Sequence, residues 1–70
     1  MRYKIEKNAA GDGWVATDTE NLIVARFRAG DFNGTQRITL LDESLINPAQ
    51  LPRLLRELGD WLAINHPEKI

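Results

Sequence analysis

Cysteine is absent from this chain, and histidine and serine occur once each, as His66 and Ser44. Without cysteine there is neither a disulfide nor a thiolate zinc site, and one histidine cannot build a histidine-rich metal centre. The lone serine and the lone histidine are far apart in sequence and have no acid at a regular spacing, so no nucleophilic triad is expected. No apolar run reaches the roughly 18 residues of a membrane span, and the opening MRYKIEKN is too polar for a secretory leader. An excess of charge is missing too. The net charge of −1 argues against the overall basic field of a duplex-DNA binder, while a local basic patch stays open. These absences lead to the expectation of a cytoplasmic, bacterial protein that is not an enzyme, needs no cofactor and does not enter a membrane.

What is present is the make-up of a folded domain: 70 residues, of which 43% are hydrophobic and 27% charged. A chain of this size buries only about 60% of the surface its unfolded form exposes, so its core is marginal. With disulfides and metals set aside, self-association is the remaining remedy, and a homodimer is expected.

Tyr3 and Ile5 alternate with Arg2, Lys4 and Glu6, the period of a half-buried strand. The stretch NAAGDG supplies a tight turn, after which WVATD returns as an antiparallel partner. DTEN makes a second turn, and a loop holding Asn33-Gly34 separates the third strand from the fourth. From Leu51 the pattern changes: Leu54, Leu55, Leu58, Trp61 and Leu62 fall at the spacings of an amphipathic helix. Asn47-Pro48 reads as its cap and first turn, with Gln50 at the capping-box position. Pro52 sits awkwardly for that cap, which points to a short tight turn at 48–50 before the main helix. Gly59 inside the helix implies a close approach or a bend. The expected fold is α+β, a four-stranded antiparallel β-meander (about 2–7, 14–18, 22–28 and 36–41) packed on one face by a single C-terminal helix (about 49–65), all in one domain.

A single helix covers one face of a sheet. Burying an unpaired charge costs several kcal/mol, so the strand LIVARFR should turn Ile23, Ala25 and Phe27 inward, and Val24, Arg26 and Arg28 outward. The same alternation sends Arg2 and Lys4 outward on the first strand, and Arg37 and Thr39 outward on the fourth. The basic residues thus converge on the uncovered face while the acids fall in or beside turns. Trp14 would stack on a base if it points outward; the area a large aromatic contributes to a small core favours the inward orientation. Outward arginines also commonly cover apolar surface with their stems and pair with neighbouring acids, for which Glu6 and Asp18 are placed. Val24 and Leu41 on the outward side offer a contact for a second copy, at the open face or an edge strand.

Other motifs carry less. GDG joins two strands, so no helix N-terminus follows to hold a phosphate. Asp12, Asp18, Glu20 and Asp31 lack the spacing of a calcium loop and read as turn residues. His66 reads as a helix-end residue. The segment MRYKIEKNAAGDGWVA is similar to the start of HicB-type antitoxin domains, with a Tyr-containing strand, an acidic glycine turn and an aromatic-led second strand. The likeness ends at TDTENLIVARFRAG and carries no function across. The strand and helix order also resembles, in layout alone, a coactivator-type single-strand-binding fold. The expected function is a small non-catalytic interaction module that forms a homodimer. The alternative is a single-stranded nucleic-acid binder using Arg2, Lys4, Arg26, Arg28, Arg37 and, as a stacking residue, Trp14.

Overall fold

The structure is a computed structural model, and it describes residues 2–9 and 11–70. Strands β1 (Tyr3–Lys7), β2 (Trp14–Asp18), β3 (Ile23–Phe27) and β4 (Arg37–Leu40) form one antiparallel sheet in the order β1-β2-β3-β4, followed by a C-terminal helix, here α2 (Leu51–Asn65). The layout is the α+β meander plus helix that the periodicities predict. One element was not anticipated: the loop before β4 closes into a one-turn helix, α1 (Phe32–Thr35). Asp31 makes it possible, because its carboxylate accepts a hydrogen bond from the Gly34 N–H at 3.1 Å.

Register separates the two faces. Tyr3, Asp18, Ile23 and Leu40 lie side by side in one row, and Ile5, Ala16, Ala25 and Ile38 in another. These rows meet α2, whose Leu54, Leu58 and Leu62 are buried. Ala16 and Ala25 at the sheet centre let the helix come close, and Leu58 and Leu62 are fully enclosed above them. Each such leucine contributes about 1.5–3 kcal/mol of burial free energy. Phe27 and Phe32 extend the cluster edge to face, with ring centroids 4.9 Å apart. Ile46, in the connection before α2, closes the other end against Ile23 and Leu54.

Local chemistry fixes the element ends. Leu22 has φ 55°, a left-handed conformation, so β3 starts one residue later than its hydrophobic run. Asn47 does cap, but it caps a 3-10 turn over Pro48–Gln50, accepting from the Ala49 N–H at 3.0 Å. The α-helix proper begins after it, and Gln50 makes no side-chain capping bond, so the capping box is not formed. Gly59 faces Phe32, but the ring edge would lie 3.5 Å from an added Cβ, an ordinary contact, so no close approach requires glycine there.

Candidate functional site

The uncovered face carries the complementary rows. Lys4, Thr17, Val24 and Thr39 form one; Glu6, Val15, Arg26 and Arg37 form the next. Val24 and Thr17 are only 7% and 8% exposed although no helix covers them, because each sits on a central strand between flanking side chains. Little apolar surface therefore remains in the middle of this face. What projects from it is charge.

Arg26 on β3 stands directly opposite Arg37 on β4. Side chains so placed have Cβ atoms about 5 Å apart, and like charges there destabilise a sheet. Arg28 follows two residues on, just past the end of β3, where it bridges antiparallel to Asp31. All three arginines are exposed. Among the described residues, no carboxylate lies within ion-pair distance of any of them. Arg26 makes one long hydrogen bond, Nη1 to Thr39 Oγ1 at 3.4 Å. The acids expected to pair with them are engaged elsewhere: Glu6 lies 3.5 Å from Lys4, and Asp18 binds Arg2.

Three depressions meet at Arg28. The first, about 130 Å³, brings together Arg26, Arg28 and Arg37 with Asn8, Asp12 and Thr35. A second, about 480 Å³, runs past Thr35 and Gln36 between Arg28 and Arg37. The third, about 390 Å³, passes Lys7, Asp12 and Gly13 to Trp14. Thr35 holds the corner rigid: its hydroxyl donates to the Asp31 carbonyl and accepts from the Arg28 N–H at 2.9 Å. Gly13 allows the strands to close here. It has φ 117°, and an added Cβ would collide with the Phe27 carbonyl oxygen.

Two expected site residues lie elsewhere. Arg2 does not join the open face. It turns toward α2, where Nε and Nη2 donate to the Asp18 carboxylate at 3.2 and 2.9 Å and Nη2 also reaches Glu57 at 3.1 Å. The reason is Asp18, a fully buried carboxylate on the helix side that requires a cation, and Arg2 lies just outside β1, free of strand alternation. The same carboxylate accepts from the Glu20 and Asn21 N–H groups at 3.1 Å, closing the β2–β3 turn. Burial raises the Asp18 pKa, but the hydrogen bonds from Arg2 and Asn21 outweigh it and hold the group below the ordinary carboxylate range. The guanidinium of Arg2 is correspondingly raised, chiefly by its hydrogen bonds to Asp18.

Trp14 is the second. It lies on the helix side, half-buried against the core cluster, so it is not a platform at the centre of the open face. Its ring is nevertheless part of the wall of the third depression, and the Lys69 Nζ sits 4.6 Å from its centroid. Lys4 is exposed on the open face, alongside Thr17 and away from the arginine corner. Lys7, Asp12 and Thr35 also line the corner, and alternation on the open face did not gather them: Lys7 ends β1 on the helix side in register with Trp14, Asp12 sits in the β1–β2 turn, and Thr35 closes α1. The remaining candidates are structural. His66 caps α2 through its N–H to the Leu62 carbonyl at 2.7 Å, and its ring lies 5.1 Å from that of Trp61. No group of three or more metal-ligating side chains gathers among the described residues, and no described helix is long and apolar enough to cross a membrane.

No protein-family model, no curated protein and no solved structure matches the chain.

Proposed function

We propose that this protein is a non-catalytic interaction module that takes an anionic partner at the arginine corner of its uncovered sheet face. The observation that carries the reading is the Arg26, Arg28 and Arg37 set, held at one corner of the sheet with no carboxylate of the described residues within ion-pair distance and with two members directly opposed. An anion between opposed guanidinium groups removes their repulsion and gains charge-assisted hydrogen bonds. The face does not suit a copy of itself, since apposing two such surfaces adds like charge and buries little apolar area. Retention on immobilised heparin, a polyanion, tests the reading. The wild type should bind at low salt and elute as salt rises, whereas the triple alanine variant of Arg26, Arg28 and Arg37 should flow through. Flow-through of the wild type at low salt would exclude the proposal.

Self-association is a second reading, and its support lies at another place. β4 is an edge strand, and Leu41 beside it is 60% exposed, with Leu45 at 53%. Two copies joined at β4 would leave both arginine corners open. Sedimentation across a dilution series tests this: a mass that rises from one chain to two, and that Leu41→Glu returns to one, supports the dimer. A single-chain mass at every concentration rules it out.

A further inference from the structure

The three depressions that share Arg28 form one bent path around the end of β3, from Thr35 and Arg37, past Arg26 and Arg28, to Lys7 and Trp14. Cations line it throughout, and Asp12 is the one carboxylate among its lining residues. Arg26 and Arg28 are two residues apart along one line, about 6.8 Å at the rise of an extended strand. That interval matches successive phosphates of an extended single strand. Arg37 stands across from Arg26 and doubles the charge at one station. At the far end is an aromatic ring with a lysine ammonium over it. A backbone-tracking cationic path that ends at a π-face is the arrangement by which single strands are held without reading sequence.

We propose that this path binds single-stranded nucleic acid, with Arg26 and Arg28 on successive phosphates, Arg37 sharing the phosphate of Arg26, and Trp14 receiving a base. The inference rests on the anionic-partner reading and names the partner. Lys69 lies over the ring in the free protein and pairs with Glu68 at 2.7 Å, so a stacking base must displace it. Asp12 opposes the ligand, and its removal strengthens binding. Duplex is disfavoured because paired bases offer no free face to Trp14. An acidic peptide could use the arginines but would leave the ring as it is.

The test uses a fluorescein-labelled oligothymidylate of twelve nucleotides, the duplex of equal length, and poly-L-glutamate, each titrated at two salt concentrations. A Trp61→Phe background leaves Trp14 as the sole tryptophan, so its emission reports stacking directly. The oligonucleotide should bind more tightly than either competitor and quench Trp14. Arg28→Ala, whose exposed side chain makes no contact that the fold needs, should weaken it about tenfold and lower the salt slope by about 0.7. Asp12→Asn should tighten it. The inference fails if Arg28→Ala binds as the wild type does, if the duplex binds equally well, or if Trp14 emission is unchanged on saturation. Poly-L-glutamate binding as tightly as the oligonucleotide, with the same dependence on Arg28, would overturn the nucleic-acid assignment and leave the anionic-partner reading standing. Absence of binding by all three, together with flow-through on heparin, would overturn both.

Discussion

Arg37→Glu should make this protein more stable and at the same time abolish anion binding. In the sheet Arg37 is directly opposite Arg26, and both are exposed. A cross-strand pair of like charge costs a few tenths of a kcal/mol, and an opposite pair contributes about 0.2–1 kcal/mol. Reversing one sign changes both terms. Because water and salt screen exposed charges, the discounted gain is about 0.5–1 kcal/mol. For a domain of this size each kcal/mol moves the melting temperature by about 4–8 °C, so a rise of roughly 2–8 °C is expected. Thermal unfolding followed by circular dichroism at low and at high salt measures it, and the gain should shrink as the Debye length shortens. Heparin gives the reciprocal readout. It should raise the melting temperature of the wild type by mass action, because it binds the folded state, and leave that of Arg37→Glu unmoved. A variant no more stable than the wild type would refute the reasoning, as would a gain that salt does not touch. Either result would mean that the opposed arginines are not in electrostatic conflict.

Asp18→Asn keeps the turn geometry but leaves Arg2 facing Glu57 alone, and should cost about 3 kcal/mol in urea unfolding. The Asp18 carboxyl is held below its unfolded value of about 3.9, so its stabilisation is complete above that pH and is lost as pH falls through the lower, folded value. Below about pH 4 the wild type should therefore lose stability more steeply than Asp18→Asn; parallel acid titrations would contradict this. Gly13→Ala forces a side chain into left-handed backbone against the Phe27 carbonyl and should destabilise by at least about 2 kcal/mol, measured the same way. Gly59→Ala goes the other way. Its Cβ would meet Phe32 at an ordinary contact distance of 3.5 Å, so the helix-propensity gain of roughly 0.5–1 kcal/mol should appear undiminished.

The sheet and main helix were legible because their periods are clean. Leu54, Leu58 and Leu62 share one stripe, and β3 is an apolar run between Ile23 and Phe27 broken only by the exposed Arg26. Alternation likewise put Arg26 and Arg37 on the side away from α2. It failed for Arg2, which precedes β1 and answers to a buried carboxylate rather than to the pleat. It could not anticipate α1, since four residues capped by Asp31 are too short to show a helical period. Nor could it gather Lys7, Asp12, Trp14 and Thr35 around Arg28. Those four come from β1, the turn after it, β2 and α1, and only the register of the hairpins and the one-turn helix brings them to one corner. Asp18 was readable as a turn residue, but its burial depends on α2 folding back over it, which no local pattern encodes.

The unpaired arginines follow from how the acids are used. Asp31 and Asp42 spend their carboxylates on backbone amides at the starts of short helices, and Asp18 serves both a turn and Arg2. Glu57 joins that same cluster, while Glu6 and Glu68 lie beside lysines. Each of these pairings is local, or belongs to the end of the sheet opposite the arginine corner, so none neutralises Arg26, Arg28 or Arg37. A nearly neutral chain thus keeps a corner of net positive charge, with Asp12 as the only acid lining its depressions. If the guanidinium stems served only to shade apolar surface, Val24 and its neighbours would need them as cover. Val24 already lies between Thr17 and Thr39 in its own row, so removing the charge from Arg37 should cost packing nothing. Arg37→Met separates the two roles: it retains an aliphatic stem of similar reach, so equal or greater stability with lost polyanion binding marks the charge as functional. Loss of stability would instead assign the guanidinium group itself a structural role.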